Sequence, residues 1–231
     1  MKRYLLDLML NTRDLGGYAT KDGKTTQYGR FIRSDAPLYL TEAGKAEFLQ
    51  MKITTILDFR TEEISTRYPS VFQGDPRFHF FSFPITEGSL AHTLKGEDPS
   101  ITYMSMLSHF ETFKDITLAM INAEGGVFYN CSAGKDRTGI VTFLLFDFVG
   151  VDRKDILEDY VVSEQFINER IPLVQAQHPS FPSSMGFSKK EYLLNFIKMF
   201  NKEYGTARKY LLKAGLTVKQ LKTLKDKLLK E

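Results

Sequence analysis

Cysteine occurs once in the 231 residues, at position 131. That scarcity excludes an internal disulfide and any four-thiolate zinc site. It also means that, if Cys131 is reactive, no second thiol of this chain can resolve its oxidised form. The four histidines, His79, His92, His109 and His178, are scattered, and no two have metal-ligand spacing, so neither a metal nor a cofactor is expected. Long apolar runs are missing too. The longest, residues 140–151, contains Asp147 and is too short to cross a bilayer. There is no biased low-complexity tract and no internal repeat. A formal charge of +3 with a pI near 8.8 is too mild to argue for a nucleic-acid partner.

What remains is ordinary globular material, 42% hydrophobic and 26% charged. The length suits one core, or one domain carrying a helical extension. We expect a single domain over 1–231, with residues 152–231 as a helical C-terminal part able to act as a lid. Lys2 and Arg3 before an apolar stretch faintly suggest a signal peptide, but Asp7 interrupts that stretch and no small-residue cleavage site follows before Arg13. A cytoplasmic protein is the expectation, with secretion left open. Charge is uneven: residues 202–231 hold nine Lys or Arg against three acidic residues. Basic residues near an anionic membrane contribute about 1 kcal/mol each, yet the leucines at 221, 224 and 228 make a core-packing stripe. A solvated basic face is favoured over peripheral membrane contact.

The middle of the chain alternates strand-like and helix-like patterns. Strands are expected at 28–33, 54–59, 78–83 and 127–130, and helices at 41–51 (capped by Thr41), 100–123 and 138–149. Residues 84–100, rich in Gly, Pro and charge, read as a loop. This order predicts an α/β fold with a mostly parallel central sheet flanked by helices and a helical C-terminal extension. In that extension, 152–171 reads as one helix broken at Pro172, followed by an exposed linker to 187. Ser188–Glu191 and Thr217–Gln220 each read as a capping box. Leu193, Phe196, Ile197, Phe200 and Tyr204 form one apolar stripe.

The informative segment is GVFYNCSAGKDRTG, residues 126–139. It places Cys131 directly after a strand and Arg137 six positions later, at the entry to a helix. Ser132, Ala133, Gly134, Lys135 and Asp136 can curl into a cup with N–H groups pointing inward, an anion-binding nest completed by the positive end of the helix. Small residues at 132–134 let the backbone approach a ligand closely, and Gly134 adopts unusual dihedrals without penalty. Arg137 supplies a planar fork for two phosphate oxygens. The same field acts on a thiol. Cysteines at helix N-termini beside cations ionise at pH roughly 4–6 instead of about 8.5, so a nucleophile here needs no adjacent base. Thr138 is placed to hydrogen-bond the sulfur. A nucleotide-binding loop fits less well, because it would need Gly at 129 and Ser or Thr at 136, where Tyr129 and Asp136 stand.

CSAGKDRTG resembles the signature loop of bacterial tyrosine and phosphoinositide phosphatases, a branch of the cysteine-dependent phosphatases. The stretches NTRDLGGY (11–18), GRFIRSDAP (29–37), LDFRTEE (57–63) and 191–217 are similar to that group as well. The resemblance implies a nucleophile at Cys131, phosphate binding by Arg137, and activity on phosphotyrosine, with phosphoserine, phosphothreonine and phosphoinositides as further substrates. It also implies His before the nucleophile. Asn130 stands there instead, so activity is expected with a higher pH optimum than in relatives. For the proton donor, Asp136 is preferred on the resemblance, ahead of Asp98 and Glu87, while Asp58 and Arg60 read as a salt bridge. Lys135 suits either a second substrate phosphate or a general raising of the local potential. Arg13 and Asp14, with Gly16 and Gly17, read as shaping a turn. The alternative function is a catalytically weak or inactive module that binds phosphorylated ligands. A thiol-redox enzyme of the arsenate-reductase kind is disfavoured, because such chemistry relies on further cysteines.

Overall fold

The computed structural model describes residues 1–7, 9–86, 98–168, 172, 176 and 187–230. Its centre is a six-stranded sheet with strands β1 (Lys2–Arg3), β2 (Arg13–Asp14), β4 (Phe31–Ser34), β5 (Ile53–Asp58), β6 (His79–Ser82) and β7 (Gly126–Asn130) in the order β1-β2-β4-β7-β5-β6. The four strands from β4 to β6 are mutually parallel, and β1 and β2 add an antiparallel edge. All five residues of β7 are buried, as expected for a strand covered on both faces. Alternation then splits its side chains: Val127 and Tyr129 enter one apolar core, Phe128 the other.

On the first face, α5 (Asp136–Val149) lies between the sheet and the C-terminal helices, with every residue from 137 to 146 buried. Against it pack α6 (Arg153–Asn168), α7 (Lys190–Glu203), α8 (Ala207–Lys213) and α9 (Val218–Leu228). Phe143 makes edge-on contacts with Phe196 and Phe200 at 5.1 and 5.0 Å between ring centres, a geometry worth about 0.5–1.5 kcal/mol per pair beyond the burial itself. On the opposite face, Phe48 of α1 (Glu42–Gln50) packs on Phe72 and Phe128. A short helix, α2 (Glu62–Arg67), follows β5.

Four expectations need correction. The helix foreseen over 100–123 is two, α3 (Ser100–Met106) and α4 (Phe110–Asn122). Between them Ser108, His109 and Phe110 make tight turn hydrogen bonds, while the Leu107 carbonyl accepts from the buried Tyr210 hydroxyl at 2.9 Å. The part beyond residue 152 is not wholly helical, because β8 (Leu229–Lys230) pairs with β3 (Thr25–Thr26). Ser188 does not cap α7: Lys189 is the cap residue, Ser188 Oγ is buried without a hydrogen-bond partner among the described residues, and its N–H donates to Glu164 at 2.7 Å. Arg13 belongs to a buried ion cluster described below, not to a turn. By contrast, the capping box at Thr217 and Gln220 is present, and Thr41 caps α1. Most of the foreseen linker up to residue 187, and Glu87, lie outside the described residues. No helix among the described residues is long and apolar enough to cross a membrane.

Candidate active site

Strands β4, β7 and β5 end level with one another, since Asn130 pairs with Ser34 on one side and Asp58 on the other. Cys131 therefore emerges at the carboxyl ends of parallel strands, where open α/β sheets form their ligand crevices. Cys131 is 3% exposed. Residues 132–135 then turn the chain into α5, which begins at Asp136, two residues before the start expected from the apolar pattern. Lys135, at the cap position, has no acceptor to offer the first-turn N–H groups of that helix.

The loop's curvature is set by three consecutive carbonyls, each tied to the surrounding scaffold. Ser132 O accepts from Ala36 N–H at 3.2 Å. Ala133 O accepts from Asn11 Nδ2 at 2.8 Å. Gly134 O accepts from Asn11 Nδ2 at 3.1 Å and from Arg33 Nη2 at 2.8 Å. In a planar trans peptide the N–H points opposite to its C=O, so anchoring these carbonyls outward turns the N–H groups of Ala133, Gly134 and Lys135 toward the concave side. Gly134 is required on two counts. Its φ is +67°, and a Cβ there would lie 2.3 Å from the Ser34 carbonyl carbon.

Arg33 and Arg13 are held from behind. Arg13 donates to Asp159 Oδ1 at 2.8 Å, and Arg33 donates to Asp159 Oδ2. Arg13 also reaches the Asp159 carbonyl at 2.7 Å and Ser163 at 2.9 Å, and a further bond joins it to Asn11 Oδ1. All three charged side chains are essentially inaccessible to solvent. Burial alone would raise the Asp159 pKa, but the two guanidinium groups prevail and hold it below the usual carboxylate range. Asp14 does shape the turn, accepting from Gly16 and Gly29 N–H groups at 2.8 Å each.

The remaining expected residues fall as follows. Arg137 is 6% exposed, and its Nε donates to the Ile85 carbonyl at 2.9 Å, which sets the plane of the fork. Thr138 Oγ1 is buried with no hydrogen-bond partner among the described residues. Lys135 directs its ammonium to the Phe187 carbonyl at 2.9 Å and lies 3.5 Å from Asp136 Oδ1. Asp136 keeps a quarter of its side chain exposed and accepts from the Tyr103 hydroxyl. Asp98 uses both oxygens elsewhere, on Ser100 N–H at 2.9 Å and Asn195 Nδ2 at 2.7 Å. Asp58 and Arg60 form a buried ion pair at 2.6 Å, and Asn130 Nδ2 donates to Asp58 at 3.2 Å. Asn130 Oδ1 has no partner among the described residues. Among the described residues no cluster of three His, Cys, Asp or Glu could hold a metal.

Residue reasoning missed Asn11, Arg33, Asp159, Tyr103 and the Ile85 carbonyl. Asn11 and Arg33 lie inside stretches the resemblance marked, but nothing in their own neighbourhoods discloses a bond to a loop 101 or more residues away.

A mostly parallel sheet delivers a buried cysteine into a glycine-turned loop that ends at an arginine, the arrangement expected of the class of phosphatases that the sequence resembles. The chain belongs to the tyrosine phosphatase family, which it matches over residues 4–230. A tyrosine-protein phosphatase of Cupriavidus necator is 32% identical over 171 residues, 69% of this chain and 62% of its own. The chain thus spans less than two thirds of that relative. A tyrosine-protein phosphatase of Nostoc commune is 26% identical, covering 86% of this chain and 74% of its own. The triple specificity phosphatase PtpB of Mycobacterium tuberculosis is 25% identical, covering 90% and 92%.

Proposed function

We propose that this protein hydrolyses phosphate monoesters, phosphotyrosine foremost, in two steps at Cys131. The observation that carries the reading is the outward anchoring of three loop carbonyls beside a buried cysteine and a buried arginine. The phosphoryl group sits in the cup on inward N–H groups from the Ser132–Lys135 turn and on the Arg137 fork. The Cys131 sulfur attacks phosphorus, the P–O bond to the leaving group breaks, and Asp136 gives that oxygen its proton. Tyrosinate benefits from such a donor, since the tyrosine hydroxyl has a pKa of about 10. Water then attacks the phosphocysteine, Asp136 takes up its proton, the P–S bond breaks, and inorganic phosphate leaves the regenerated thiolate. The Thr138 hydroxyl, without a partner among the described residues, is available to stabilise the departing sulfur.

Asp136 is the donor of choice because it lies in the loop and is partly exposed, whereas Asp98 has both oxygens engaged and Asp58 is buried against Arg60. Phosphoserine, phosphothreonine and phosphoinositide activity stand as secondary substrates. For an inositol ring with a second phosphate, Lys135 must exchange its bond to the Phe187 carbonyl for the ligand. The competing reading, a phospho-ligand-binding module, draws on Asn130, whose side-chain Oδ1 has no partner among the described residues beside the nucleophile.

Turnover of p-nitrophenyl phosphate by wild type and by Cys131→Ser separates the two. The enzyme reading expects turnover by wild type and its loss in the variant, with phosphate still competing for the site. No turnover by either protein favours the module.

A further inference from the structure

The Asp136 carboxylate is not held by the loop alone. Tyr103, from α3, donates its hydroxyl hydrogen to Asp136 Oδ1, and its oxygen lies 2.8 Å from the hydroxyl of Tyr160 on α6. A phenol has one hydrogen to give and a carboxylate has none. With Tyr103 donating to Asp136, Tyr160 must donate to Tyr103, so the chain of bonds runs from α6 through α3 to the loop. Both rings are immobilised. Tyr103 and Tyr160 are 1% and 2% exposed, they meet edge-on at 6.4 Å, and Tyr103 meets Phe196 of α7 edge-on at 5.9 Å. The helix carrying Tyr103 is itself fixed, because Asp98 joins its first turn to Asn195 of α7. Burial, followed by the Asp136 charge, pushes both phenols well above the ordinary tyrosine pKa, which keeps them as donors throughout the working pH range.

We propose that Tyr103, backed by Tyr160, is a positioning residue for Asp136, fixing the carboxyl at the rim of the cup where the oxygen of the departing alcohol is protonated. The inference rests on Asp136 being the proton donor. A purely structural role, with Asp136 merely satisfying a buried phenol, would be indifferent to which alcohol leaves.

The full chain carrying Tyr103→Phe, Asp136→Asn or both changes tests this with two substrates, phenyl phosphate and p-nitrophenyl phosphate. Nitrophenolate leaves readily and needs little protonation, whereas phenolate needs much. Loss of a general acid costs roughly 10²–10⁴-fold and misplacement of one somewhat less, so Tyr103→Phe is expected to lower kcat about tenfold more on phenyl phosphate than on p-nitrophenyl phosphate. In the Asp136→Asn background that selective loss should vanish, because the group being positioned is already gone.

Equal losses on both substrates, or the same selective loss from Tyr103→Phe with and without Asp136, would overturn the proposal. If Asp136→Asn shows no dependence on the leaving group, the proton-donor reading falls and takes this one with it. If Asp136→Asn is selective and Tyr103→Phe is not, positioning alone fails. Should Tyr103→Phe not fold, Tyr160→Phe leaves Tyr103 in place but without its donor. A smaller loss in the same direction is then expected, and a substrate-independent one would count against us.

Discussion

Seven residues, from Cys131 to Arg137, concentrate the proposed chemistry, but their shape is imposed from outside. Asn11 and Arg33 supply three of the hydrogen bonds that turn the loop carbonyls away from the cup. Gly134 is the point of least tolerance. Its left-handed backbone would cost an alanine about 1–2 kcal/mol, and the contact with Ser34 at 2.3 Å is far more severe, because backbone cannot step aside as a flexible side chain can. Gly134→Ala should therefore push the loop off Ser34 and lower kcat/KM on p-nitrophenyl phosphate about 100-fold, as displacements near 1 Å do. Steady-state kinetics beside a thermal melt would check it, and a variant with near-native kcat/KM would show that the loop does not need this close approach. That Cys131, Gly134 and Arg137 share one turn between strand and helix was legible in the sequence because their spacing is local. Asn11, Arg33 and Asp159 were not, because their contacts with the loop and with one another are made through space, 101 or more residues apart.

Elements whose determinants are local followed the sequence closely. β5 and β7 are short, β-branched or aromatic runs and fall within one residue of expectation at each end. Thr41 and Thr217 cap their helices with side-chain bonds of 3.1 and 3.2 Å, each worth about 1 kcal/mol against alanine. Where the outcome depended on a distant partner, the pattern misled. Ser188 has the composition of a cap, but its backbone is drawn to Glu164 of α6 and its hydroxyl faces inward. The apolar continuity of 100–123 concealed a break in which the Leu107 carbonyl bonds to Tyr210, a residue of α8. β8 could not be foreseen from Leu229 and Lys230, since a two-residue strand exists only through its partner β3. In the basic terminal helix the expected leucine stripe is present: Leu221, Leu224 and Leu228 are buried in the core, while Lys222 and Lys225 pair with Asp226 and Asp22 at 2.8 Å each.

Across the whole molecule, Asp159 is the tie between the C-terminal helices and the Cys131–Arg137 loop, since it holds Arg13 of β2 and Arg33 of β4 from α6. Removing one partner of a buried ion cluster leaves uncompensated charge and costs about 3–5 kcal/mol. Asp159→Asn should lose that much in denaturant unfolding, and a loss under 1 kcal/mol would show that the two guanidinium groups are satisfied without it. The pH dependence has a definite sign. A carboxylate whose folded pKa is depressed contributes stability above its unfolded value of about 3.9, and that contribution disappears as pH falls through the folded value. Wild type should therefore destabilise more steeply than Asp159→Asn on acidification below about pH 4. Parallel curves for the two proteins would contradict the assignment.

In the proposed reaction, phosphorus becomes bonded to the Cys131 sulfur during turnover. Rapid acid quench of the wild-type protein reacting with p-nitrophenyl phosphate, followed by peptide mass spectrometry, addresses that directly. The prediction is a single phosphoryl group on the peptide containing Cys131, formed and consumed at rates compatible with kcat. A protein that turns over at full rate while every quenched peptide stays unmodified, or one phosphorylated at a residue other than Cys131, would contradict it.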